Sequence, residues 1–177
     1  MLLAPLPLLA PAAPVRDVAA DERLLVTLIN AERRAHGLGA LTPRADLAAA
    51  GKRQAQRMAA KLEIWHNLNL ENEISGWKTI GENVGWATTT ATDLHRAFME
   101  SPEHKENILW PVFNEIGIGE VVASDGRIFV GEVFAQRRES VHRGSSVSAP
   151  TPARVRTLAV LLRIVGLDEP VGKRPGD

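Results

Sequence analysis

The feature that most restricts this chain is a pair of alternating apolar runs joined by a turn and interrupted by glycine. Ile116, Ile118 and Val122 alternate with other residues, Ser124-Asp125-Gly126 supplies a turn, and Ile128, Val130 and Phe134 return on alternate positions. Gly117, Gly119 and Gly131 fall inside or beside these runs. Glycine weakens a strand unless something must come close to its backbone, so the hairpin predicts a sheet with room left for a helix or a ligand. The 177 residues include no cysteine, which excludes disulfides, thiolate metal sites and a cysteine nucleophile. Cohesion must come from one packed core, and the length suits a single domain with tails.

Residues 1–20 read as a signal-like or disordered N-terminal segment. Met1 to Ala13 are apolar and rich in Ala and Pro, and Ala10-Pro11-Ala12 has the small-x-small pattern of a signal-peptidase site. No run approaches the ~20 apolar residues that a transmembrane segment needs. From Asp21, Leu24, Leu25, Leu28 and Ile29 repeat on one helical face, with Glu22, Arg23, Glu32 and Arg33 elsewhere and Gly37 as a stop. A second helix is expected from Thr42-Pro43, carrying Leu47, Gly51, Ala55, Met58 and Leu62, with Ala48 to Gly51 small enough for another backbone to approach.

Residues 63–78 lose the helical period and mix Ile64, Trp65, His66 and Trp77 with amides, which predicts an ordered loop packed by its own tryptophans. A short strand over Gly81–Ala87 and a helix from about Thr92 to Glu100 follow, with Leu94, Ala97 and Phe98 inward. After Glu139 the composition shifts to Ser, Pro and Ala. The domain is therefore expected within residues 21–138, and 139–177 is a linker and tail. Val155 to Leu167 is a candidate amphipathic helix able to touch a membrane surface or a partner, set against the plainer reading of a loosely docked tail.

Ser101-Pro102 is a helix-start signal, and it places His104 in the first turn, where the helix dipole disfavours imidazolium. A neutral imidazole there can accept a proton or bind a metal, or can be a surface histidine with no task. Lys+Arg and Asp+Glu both number 21, so no net field attracts nucleic acid.

Taken together, Met58 in an alanine-rich segment, Trp65-His66-Asn67, Gly81-Glu82-Asn83, Ser101-Pro102-Glu103-His104 with Asn107-Ile108-Leu109, and Glu115-Ile116-Gly117-Ile118-Gly119 resemble the CAP superfamily in its cysteine-free bacterial form. The resemblance spans roughly Leu24 to Gln136. It implies an α+β fold, a three-layer α-β-α sandwich with a small antiparallel sheet between helices, and a cleft lined by histidines and acids. Residue by residue, it implies His66, Glu82 and His104 for that cleft, with Glu100 as the fourth group or a one-residue slip onto Ser101. Two imidazoles and a carboxylate can hold Zn²⁺ with a position open, making His66 and His104 the candidate metal ligands; the same groups can equally form a hydrogen-bonded network. The resemblance implies a secreted or cell-envelope protein that binds a small apolar ligand, lipid- or sterol-like, or a protein partner through the cleft. A zinc-dependent hydrolase is the alternative.

Overall fold

The computed structural model describes residues 16–137 and the backbone of 166–167. The expected leader and most of the expected tail, including the bulk of the candidate helix over Val155–Leu167, lie outside the described residues.

Helix α1 (Val18–Ala35) starts before the expected Asp21, because the Asp17 carboxylate accepts from the Ala20 N–H at 3.0 Å. Leu25 and Ile29 point into the core, whereas Leu24 is exposed. The chain turns at Gly37, whose φ of 72° is left-handed. Strand β1 (Thr42–Pro43) stands where a helix start was expected. The Thr42 N–H donates to Asn114 O and the Arg44 N–H to Ile116 O, so this backbone is committed to a sheet edge, and proline is tolerated there. Helix α2 (Ala45–Lys61) therefore begins three residues later, and Leu62, expected on its inner face, becomes an exposed left-handed cap with φ 57°.

Helix α3 (Leu70–Glu73) lies inside the expected loop, and strand β2 (Trp77–Ala87) begins earlier than expected. Helices α4 (Ala91–Glu100) and α5 (Pro102–Leu109) follow, then β3 (Glu115–Val122) and β4 (Ile128–Arg137) as the expected hairpin. The last described strand, β5 (Gly166–Leu167), pairs with Trp86 and Ala87, at the end of the segment where a helix was expected. The sheet order is β1-β3-β4-β2-β5, with β3, β4 and β2 antiparallel and the two short outer strands parallel to their neighbours. No described helix is long and apolar enough to cross a membrane.

Alternation gives the sheet two apolar faces, and helices cover both. On one, Ile116, Ile118, Val130 and Phe134 pack with Leu25, Ile29, Leu94, Phe98 and Ile108 from α1, α4 and α5. On the other, Val133, Ala135, Val84 and Phe129 meet Leu47, Ala50, Ala55 and Met58 of α2. This is the expected α-β-α sandwich. The hairpin glycines are what let α2 sit so close: a Cβ on Gly119 would lie 2.1 Å from Lys52 N, and one on Gly51 would lie 2.4 Å from Gly131 O.

Three buried charged side chains depart from the pattern. Arg33, expected off the packed face, is 1% exposed; it donates to the carbonyls of Gly39, Ile108, Trp110 and Phe113. Glu120 and Glu132 project from the α1 face of the sheet with no solvent exposure. Neither Glu120 oxygen, nor Glu132 Oε1, has a hydrogen-bond partner among the described residues. Burial, with Asp21 nearby, pushes Glu120 up to about 7; burial pushes Glu132 up to about 8, against a hydrogen bond from Asn83.

Gly119→Ala is expected to cost ~3 kcal/mol or more in urea denaturation, because backbone on both sides leaves no room to yield. Gly39→Ala, with nothing within 4 Å of its Cβ position, serves as the control and should stay within about ±0.5 kcal/mol. Similar losses for both would refute close helix–sheet contact. A raised folded-state acid keeps a proton that the unfolded chain releases, so the Glu132 contribution weakens stability as pH rises from 4.5 through about 8. Glu132→Gln keeps an acceptor for Asn83 and should relieve on the order of 3 kcal/mol at about pH 8 and little at about pH 4. Equal effects at both pH values would mean that Glu132 is ionised throughout.

Candidate functional site

Alternation along β2 sends Glu82 to the α2 side of the sheet and Asn83 to the α5 side. On the α2 side, the chain after Leu62 folds back so that His66 Nδ1 lies 3.0 Å from Glu82 Oε2, which also accepts the Asn67 N–H at 2.8 Å. His66 and Glu82 are 6% and 8% exposed. Glu82 Oε1 is buried without a hydrogen-bond partner among the described residues. The loop is held from below by α2, where Gln54 Nε2 donates to Trp65 O. Trp65 and Trp77 are both half-buried and pack against the two clusters on this face, as expected of a loop held by aromatic area.

His104 lies on the other side of β2. Its ring stacks on Phe98 with centroids 4.8 Å apart, and its Nδ1 lies 2.7 Å from Ser101 Oγ. Ser101 is the N-cap residue of α5, but its hydroxyl makes no cap bond; it donates to Glu103 Oε2 at 3.2 Å and meets the imidazole. Burial pushes the His104 pKa down, and nearby His66 adds to this; a hydrogen bond with the Val84 backbone and the Glu103 carboxylate pull it up. The neutral state expected of a first-turn histidine is favoured chiefly by desolvation, ahead of any dipole effect. Three residues on, Asn107 Nδ2 donates to Glu82 O at 3.2 Å and to Asn83 Oδ1 at 2.9 Å, while Asn83 Nδ2 reaches Glu132 Oε2 at 2.9 Å and His104 O at 3.2 Å.

The structure thus pairs His66 with Glu82 and brings His104 near them from the other side of β2. Glu100 is exposed at the end of α4 and makes no hydrogen bond or ion pair to the other three. The position one residue later, Ser101, makes the contact to His104. Among the described residues no group of three or more His, Asp or Glu side chains is placed to hold a metal ion. The trio expected to share Zn²⁺ is not assembled, because β2 alternation separates Glu82 from the stacked ring of His104. These donors do not fit Zn²⁺ as a three-ligand site in this arrangement.

An open groove of about 300 Å³ adjoins His66. Gln54, Arg57, Trp65, Asn67 and Glu73 line it with His66, and Leu68 and Asn69 form its rim. The polar side chains hold one another: Arg57 donates to Gln54 Oε1 at 2.7 Å and pairs with Glu73 at 3.5 Å, and Asn67 Nδ2 donates to Glu73 Oε1 at 3.0 Å. Sequence reading missed Asn83, Asn107 and Glu132 as parts of the network on the far side of β2. Glu132 carried a visible signal, a carboxylate at an inward position between Val130 and Phe134.

Residues 26–134 match the family described as the cysteine-rich secretory protein family, CAP. The uncharacterized protein YkwD of Bacillus subtilis is 32% identical over 113 residues, 59% of this chain and 44% of that protein, so the match spans less than half of its relative. An outer surface protein from Borrelia burgdorferi superposes with a TM-score of 0.64 at 19% identity, covering 70% of this chain and 97% of that one. An extracellular protein containing an SCP domain from Bacillus anthracis gives 0.61 at 18% identity, covering 71% and 45%. Identities this low speak for the shared fold alone.

Glu82→Ala is expected to lower stability by roughly 1–3 kcal/mol, because it strands the Asn67 N–H and the His66 ring in a buried site. Glu100→Ala should stay within about ±0.5 kcal/mol. A large loss for Glu100→Ala, measured by thermal and urea unfolding, would return that carboxylate to the cluster.

Proposed function

The chain belongs to the cysteine-rich secretory protein family, CAP, and from that premise we propose a secreted or cell-envelope binding domain that takes a ligand or protein partner in the groove beside His66. The observation that carries this reading is the groove itself, a recess whose polar side chains are fixed by mutual hydrogen bonds before any ligand arrives. The placement outside the cell draws on relatives of the same fold that are named as an outer surface protein and an extracellular protein. The lining favours a polar occupant over the lipid- or sterol-like ligand expected from the sequence, since Leu68 and Trp65 are its only large apolar side chains. A zinc-dependent hydrolase would use His66 Nε2 while Nδ1 stays on Glu82, and would need His104 to release the Val84 backbone.

Hydrogen exchange tests the reading with an envelope extract of a CAP-bearing bacterium as the ligand source. Residues 62–73 are expected to gain protection in the wild type and not in the Arg57→Ala/Asn69→Ala variant. Protection confined to other surfaces, or none, would overturn it; ester hydrolysis lost in His66→Ala would favour the enzyme instead.

A further inference from the structure

We propose that the occupant of the groove is a saccharide, one or two pyranose rings of a glycan; this rests on the reading that the groove binds a ligand. Sugar hydroxyls donate and accept at once, so a site for them needs planar side chains of both kinds held in fixed directions. The groove supplies them: carboxamides on Asn67 and Asn69, a guanidinium on Arg57, a carboxylate on Glu73 and the imidazole of His66, above a buried Gln54 whose two ends already bond Trp65 O and Arg57. Their order is built in. Glu73 accepts from Arg53, Asn67 and Arg57, Gln54 Oε1 accepts from Arg57, and Asn69 Oδ1 accepts from Asn72 at 2.7 Å. His66 Nδ1 is held by Glu82, and no hydrogen bond engages Nε2 among the described residues.

A sugar also presents an apolar C–H face, which settles on the negative face of an aromatic ring. Trp65 offers one. The ammonium of the exposed Lys61 lies 5.4 Å over its ring, so a C–H face settling there would take the place of that flexible side chain. Leu68, 91% exposed on the rim, adds a second small apolar contact.

Other ligand classes fit worse. A free anion meeting Arg57 would face the Glu73 carboxylate already paired with it. A lipid tail would bury Arg57, Glu73 and two carboxamides against hydrocarbon, at a cost that Trp65 and Leu68 cannot offset. A volume of about 300 Å³ stands at the small end of ligand pockets, which suits one or two rings.

The test is a ¹H–¹⁵N NMR titration of the full chain with chitotetraose, cellotetraose and maltotetraose, alongside dodecylphosphocholine micelles. At least one oligosaccharide should move the Trp65 indole and the amides of 66–69 saturably. Arg57→Gln and Asn69→Ala, both at surface-accessible positions, should each weaken binding about tenfold, ~1.4 kcal/mol, with thermal unfolding unchanged in Asn69→Ala and lowered in Arg57→Gln, which strands the buried Gln54 Oε1. If micelles move these signals and no sugar does, the saccharide is wrong while groove binding stands. If no probe moves them, the saccharide fails and the hydrogen-exchange experiment alone decides the groove; if sugar shifts survive in both variants, the site lies elsewhere and the proposal fails.

Discussion

Helix α2 lies almost backbone to backbone against the β3–β4 hairpin, and the rest of the molecule depends on that contact. Dispersion at such range is strong only if no side chain intervenes, and Gly51, Gly117, Gly119 and Gly131 clear the way from both sides. With the axis of α2 fixed so tightly, its C-terminal half is aimed at one place. Gln54 and Arg57 then reach the returning loop, and Gln54 holds the Trp65 carbonyl that sets His66 against Glu82. Groove and acid–histidine pair are thus consequences of a glycine contact one to two helical turns away.

The opposite face is tied by a different device. Arg33 satisfies the carbonyls of Ile108 and Trp110 where α5 ends, as well as those of Gly39 and Phe113. A cation at a helix C-terminus also answers its dipole. With α5 pinned there, Asn107 bonds the Glu82 carbonyl and His104 the Val84 backbone, so both bond the backbone of β2 ahead of its pairing with β5 at Trp86 and Ala87. The two β2 acceptors beyond the reach of the two-residue β5 thus meet side chains of α5. Glu120 and Glu132, buried beside this layer, have their affinity for protons raised toward neutral pH and above because desolvation outweighs their neighbours.

Much of the architecture was legible. The hairpin, α4 and the Ser101-Pro102 start of α5 were readable because local pattern and tertiary role agree there. Thr42-Pro43 was misread because the same two residues serve a helix start or a proline-bearing edge strand, and β3 decides between them. Arg33 was misplaced because a charged side chain scores as solvent-facing until the carbonyls that would receive it are known. Leu62 followed the apolar period yet fell where the helix had already ended.

By itself the sequence determined the glycine-lined hairpin, the helices able to cover it, the absence of covalent staples, and the residues with acid–base chemistry. These follow from periodicity and from what each side chain is. Which of those residues meet was decided only in three dimensions. His66, Glu82 and His104 lie 16 to 38 residues apart in the chain, and one step of strand alternation puts Glu82 with His66 while His104 stacks on Phe98 on the other side of β2. A side chain's identity is local, but its partner is set by the packing of distant segments, which no single stretch of sequence contains.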